Sequence, residues 1–135
     1  MRWLLDTNII SYWMRGHEGI LRALKQRHPG DLAVSSITVA EIRYGIEKSP
    51  HRQSERLRKL GLILAQIQQL PFDGTAAAEY GVIRAALEQR GTPIGERDTQ
   101  IAAIAAAHNL TIVTHNVREF ARIPGIPVED WIASQ

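Results

Sequence analysis

The strongest constraint on this chain is a set of short apolar runs, each handing over to a polar cluster and a helical stretch. Trp3-Leu4-Leu5 ends at Asp6-Thr7-Asn8, Leu32-Ala33-Val34 at Ser35-Ser36, and Leu110 to Val113 at Thr114-His115-Asn116. Such runs read as buried strands, and the patterns between them as helices. Helices are expected over residues 9–14, 18–27, 37–47, 51–68, 74–89 and 97–108, with a helical turn through Phe120. Leu70-Pro71-Phe72 and Ile126-Pro127-Val128 read as edge strands, because proline cannot donate to a sheet ladder. Alternation of this kind predicts an α/β fold: a small, mostly parallel sheet of four or five strands flanked by helices.

The 135 residues suit one domain, 1–135, with a core that needs no staples. The chain has no cysteine, which excludes a disulfide framework, a thiolate zinc site and a cysteine nucleophile. The start, Met1-Arg2-Trp3, lacks the apolar stretch and cleavage site of a signal peptide, and no apolar run approaches the roughly 20 residues of a membrane span. A soluble, cytoplasmic protein with no membrane partner is expected. Net charge is only +2, yet 13 of the 16 basic residues are Arg. The planar guanidinium suits phosphate, so the bias leans toward nucleic acid or an acidic partner, against a plain coding preference.

In open α/β sheets, sites gather outside the carboxyl ends of the strands. Asp6 follows the first strand, Ser35, Ser36 and Thr38 the second, with Glu41 a turn on, and Thr114 and Asn116 the clearest. Asp98 opens the helix over residues 97–108. Each has a plain structural alternative. Asp6 and Asp98 are residue types that cap helices or complement their dipoles. Glu41 lies opposite the Val39, Ile42 and Ile46 stripe, yet shares its side with Ile37 and Tyr44. Together, three carboxylates at one end of a sheet would repel one another unless a cation sat among them. Mg2+ and Mn2+ prefer such oxygen ligands.

The sequence resembles PIN-domain ribonucleases, and more narrowly the VapC toxins of type II toxin–antitoxin pairs. The likeness rests on Leu4-Leu5-Asp6-Thr7-Asn8, on Ser35-Ser36-Ile37-Thr38-Val39-Ala40-Glu41, and on Pro93-Ile94-Gly95 with Asp98. It continues in Val113-Thr114, Asn116, Arg118-Glu119-Phe120 and Ile123-Pro124-Gly125. The resemblance implies an Mg2+- or Mn2+-dependent endoribonuclease acting on RNA, particularly transfer RNA near its anticodon loop. It implies Asp6 and Asp98 as metal ligands, with Glu41 binding metal or orienting water. Many PIN domains carry a fourth acidic residue where Asn116 stands here; Glu119, one turn later, is the substitute. Thr7, Ser36 and Thr114 are expected to hold the carboxylates or metal-bound water by hydrogen bonds. Glu96 is expected at the rim, balanced by Arg97. Among the arginines near the site, Arg15, Arg43, Arg84, Arg90, Arg97 and Arg118, RNA binding is expected of Arg43, Arg97 and Arg118. The family also implies a VapB-like antitoxin and a homodimer. The helix over residues 51–68 carries more apolar surface than one side needs, which suits a partner groove.

Other readings fit less well. A dehalogenase-type phosphatase wants a second Asp where Asn8 stands, and a receiver domain wants a late Lys where none occurs past residue 60. A PIN-like RNA- or antitoxin-binding module without catalysis is the non-enzymatic alternative. The intact set Asp6, Glu41 and Asp98 argues against it.

Overall fold

Five short strands pair in parallel, and their residues alternate between two apolar layers. The computed structural model describes residues 1–132. The strands are β1 (Trp3–Leu5), β2 (Leu32–Ser35), β3 (Gln68–Leu70), β4 (Thr111–Val113) and β5 (Val128–Glu129). Their order across the sheet is β3-β2-β1-β4-β5, every neighbouring pair parallel. The helices are α1 (Thr7–Met14), α2 (Glu18–Lys25), α3 (Ser36–Glu47), α4 (Gln53–Leu64), α5 (Gly74–Gln89), α6 (Glu96–His108) and α7 (Val117–Phe120). Successive strand residues face opposite ways. Leu5, Val34 and Val113 join one cluster with Ile9, Ile20 and Leu60 from α1, α2 and α4. Leu4, Ala33 and Ile112 join the other with Leu87, Ile101 and Phe120 from α5, α6 and α7. Burial on both faces is what a parallel sheet requires, and it explains why the strands read as unbroken apolar runs.

The expected elements are all present, with shifted limits. The helix expected to reach residue 68 stops at Leu64, and the third strand takes residues 68–70 instead of 70–72. Pro71 therefore follows β3 and does not interrupt it. The last strand lies at 128–129, beyond Pro127.

Because every strand runs the same way, all carboxyl ends open on one side. The backbone N–H of Asp6 donates to Val113 O at 2.9 Å, tying the exits of β1 and β4 together. Polar residues from distant parts of the chain meet there.

Candidate active site

Asp6 is the N-cap residue of α1, but its side chain makes no capping bond. It is 4% exposed and accepts from Thr114 Oγ1 at 2.8 Å. The Thr114 oxygen in turn accepts the Asn116 N–H at 2.9 Å. Burial pushes the Asp6 carboxyl above its ordinary range, against the pull of the Thr114 bond, and the charges of Glu41 and Glu119 push the same way.

Asp98 stands in the first turn of α6, where Gly95 takes the cap position. Its carboxyl is pushed up to about 7, first by burial and then by the charge of Asp6 and by Glu119, whose charge and shared hydrogen bond both act. Glu119 moves down instead, because the Gly95 N–H donates to Oε1 at 2.9 Å and the Asn116 amide donates to Oε2 at 2.6 Å. The proton of this carboxyl pair therefore rests on Asp98.

Glu41 is half-buried, its side chain 26% exposed, and it is held from both sides. Thr7 Oγ1 donates to Oε1 at 2.8 Å, and Oε2 lies 3.7 Å from Arg97 Nη1. Thr7 Oγ1 also meets Thr38 Oγ1 at 3.0 Å; since the Thr7 proton goes to Glu41, Thr38 donates. A relay Thr38–Thr7–Glu41 thus crosses from α3 to α1 and back.

Asp6, Glu41, Asp98 and Asn116 line one cleft together with Thr7, Tyr12 and Arg15. The expected carboxylates, Thr7 and Thr114 are therefore brought together, and Glu119 stands against Asp98. Ser36 is not among them: it is exposed at the start of α3, while the Ser35 hydroxyl caps that helix by accepting the Thr38 N–H. The hydroxyl that reaches the site is that of Thr38. Its place three residues before Glu41, on one helix face, is a signal the sequence held. Glu96 is exposed and lines a separate groove with Tyr80, Arg84 and Glu88. None of Arg43, Arg97 and Arg118 lines the cleft and all three are exposed, but Arg97 reaches its edge through the ion pair with Glu41.

A larger groove of about 920 Å³ runs between α1, α3 and α4, with Met14, Ile37, Ile42 and Tyr44 in its lining. It shares Thr7, Ser11, Arg15 and Glu41 with the acidic cleft, so the two are continuous.

A family model described as the PIN domain matches residues 3–126. The tRNA(fMet)-specific endonuclease VapC of Salmonella typhimurium is 38% identical over 97% of this chain and 98% of its own. The chain belongs to the VapC family of PIN domains. Ribonuclease VapC2 of Rickettsia felis is 37% identical, again over 97% of this chain and 98% of its own. Among solved structures, DNA-bound VapBC from Salmonella typhimurium superposes with a TM-score of 0.90 at 37% identity, over 97% of this chain and 98% of that one. VapBC2 from Rickettsia felis, bound to a promoter DNA fragment, gives 0.89 at 36% identity, over 97% and 99%.

PIN-domain nucleases generally use divalent metals. Among the described residues of this VapC-family chain, no three acidic or histidine side chains are drawn tightly enough to form a ready cage. The donor set nevertheless fits a hard cation. Burial, and after it the neighbouring carboxylates, disfavours the charged form of Asp98, and a divalent ion would offset both by taking the place of the proton.

Proposed function

We propose that this chain is an Mg2+- or Mn2+-dependent endoribonuclease and the toxin of a type II toxin–antitoxin pair. It works in the cytoplasm and hydrolyses RNA phosphodiester bonds, with transfer RNA near the anticodon as its target. The observation that carries this reading is the cluster of carboxylates: Asp6 and Asp98 share one cleft with Glu41, and Glu119 stands against Asp98. The names of the relatives, endonuclease and ribonuclease, support the activity.

Asp6 and Asp98 would hold the cation, with Glu119 and the Asn116 carbonyl beside them. Bound there, Mg2+ or Mn2+ supplies positive charge that activates water and stabilises charge developing on a phosphoryl oxygen. Thr114 keeps the Asp6 carboxylate aimed into the cleft. Glu41, anchored through Oε1 by Thr7, turns Oε2 toward Arg97 and orients the attacking water. Arg97, 69% exposed, is placed to take an RNA phosphate as it leaves Glu41. To hold a cation Asp98 would have to be ionised, its proton passing to solvent water.

The continuous groove between α1, α3 and α4 suits a VapB-like antitoxin, whose chain would run along the apolar lining and cover the cleft. A homodimer belongs to the same reading, and light scattering tests it.

The deciding experiment is incubation with total RNA and Mg2+, with EDTA and Asp6→Asn controls, followed by mapping of the cut ends. Metal-dependent cuts that vanish in Asp6→Asn and in Asp98→Asn, both still folded, are expected. RNA left whole under every condition would overturn the nuclease reading in favour of a binding module.

A further inference from the structure

Arg15 follows the last residue of α1, and Gly16 behind it takes a φ of +73°, which ends the helix there. Arg15 is exposed and, among the described residues, forms no ion pair, unlike Arg97, which is held by Glu41. Its guanidinium lies instead 4.8 Å from the centroid of the Tyr12 ring, one turn back on the same helix face. The Tyr12 ring is itself fixed. His17 meets it edge-on at 5.0 Å and His115 at 6.3 Å. The His17 ring accepts the Ile20 N–H at the start of α2, and the His115 ring sits 3.0 Å from the Asp130 carboxylate. Both neighbours are thus tied to other elements.

Tyr12 and Arg15 line the same cleft as Asp6, Glu41 and Asp98. An acidic cleft repels a polyanion, so a polyanionic substrate needs fixed positive charge close by. Arg15 supplies it without an ion pair to break, and its planar fork matches phosphate oxygens.

We propose that Arg15, held across the Tyr12 ring, binds a phosphate of the RNA next to the one being cut. The proposal rests on the reading of this chain as an RNA-cleaving enzyme. About 14 Å of helix separates Asp6 from Arg15, at 1.5 Å per residue, so a neighbouring phosphate is the one it meets. Arg15 is a binding residue, and Tyr12 is a positioning residue that acts through it.

The test is binding of a fluorescein-labelled, 2′-O-methyl single-stranded oligoribonucleotide of mixed sequence to full-length Asp98→Asn protein, followed by anisotropy across a KCl series. Adding Arg15→Ala should weaken binding about tenfold and flatten the slope of log affinity against log salt by about 0.7, the share of one phosphate on a single strand. Arg15→Lys should keep the slope. Tyr12→Phe should bind as the parent, whereas Tyr12→Leu should lose affinity at an unchanged slope. Arg58→Ala, an exposed change on α4 outside the cleft lining, should alter neither. Circular dichroism checks that each variant folds, and Arg15→Gln repeats the measurement with a second neutral side chain. Arg15→Ala or Arg15→Gln protein that binds with the parent's affinity and slope overturns the proposal, as does loss of antitoxin binding with RNA binding intact. Cleavage by the otherwise unchanged protein is read separately. RNA cut without Arg15-dependent binding sinks this subsite and leaves the nuclease; Arg15-dependent binding without cutting does the reverse.

Discussion

Asp6 and Asp98 occupy positions where a helix start usually recruits a carboxylate, yet Asp6 makes no capping bond and the cap position of α6 falls to Gly95. The plain alternative for each was a cap, and at that level the sequence could not decide. What decides is a partner far along the chain: Thr114, 108 positions from Asp6, takes up its carboxylate. Glu41 was ambiguous for the same reason. Its helix wheel pointed two ways, and the bond from Thr7, 34 positions away, fixes it as half-buried and anchored. The residue types were legible as a motif, while the hydroxyls that serve them were legible only in part, which is why Ser36 stood in for Thr38. Thr7→Val should lower the rate of RNA cleavage about tenfold to a hundredfold, the usual scale for losing such an orienting partner, with little change in melting temperature. Thr7→Ser should restore it. Single-turnover cleavage beside a thermal melt makes the comparison, and an unchanged rate in Thr7→Val means that Glu41 needs no anchor.

Element boundaries show where local preference gave way. Apolar residues continue past Leu64, so the helical pattern extends on paper to residue 68. The chain instead bends at Ala65, buries Ile67, and sets Gln68 to Leu70 beside Ala33 to Ser35 of β2. Gln68 and Gln69 are exposed and carry no strand pattern of their own, so only pairing with β2 makes them a strand. At its other end α4 starts from Arg52, whose φ of +49° places a side chain in the left-handed region. That conformation costs an L-residue roughly 1–2 kcal/mol, partly offset by the greater chain entropy glycine brings to the unfolded state. Arg52→Gly is therefore expected to stabilise the fold by about 0.5–1 kcal/mol. The exposed Arg52–Glu55 pair at 3.7 Å that is lost contributes little in comparison. Urea unfolding measures this, and a midpoint that falls or stays put would contradict the strain.

For the whole molecule, the alternating runs announced an α/β sandwich, but not the order β3-β2-β1-β4-β5, because nothing local states which strand neighbours which. That order gathers the acids, and their crowding has a thermodynamic signature. Asp98 ionises at about 7 in the fold against 3.8 when unfolded, so between those values the native state holds the extra proton. Stability must then fall as pH rises from about 4 to 7 in metal-free protein. Glu119 is displaced the other way, and its contribution is lost only as pH drops below its ordinary 4.5, outside most of that window. Melting temperature in EDTA should decline across the window, Asp98→Asn should flatten the decline, and Mg2+ should raise the curve most at its upper end. A metal-free profile that rises toward neutrality would contradict the assignment of the proton.

The bond between Asp6 and Thr114 also sets a clock. At translation rates of about 5–20 residues per second, Asp6 is incorporated roughly 5–20 seconds before the threonine that aims it has been made. Asp98 and Glu119 follow just as late, and β1 has no β4 to pair with until then. A nascent chain, or one cut short by a premature stop anywhere before β4, carries the first carboxylate but no assembled cluster. The fold thereby delays any chemistry at this centre until β4 and the threonine after it have been made.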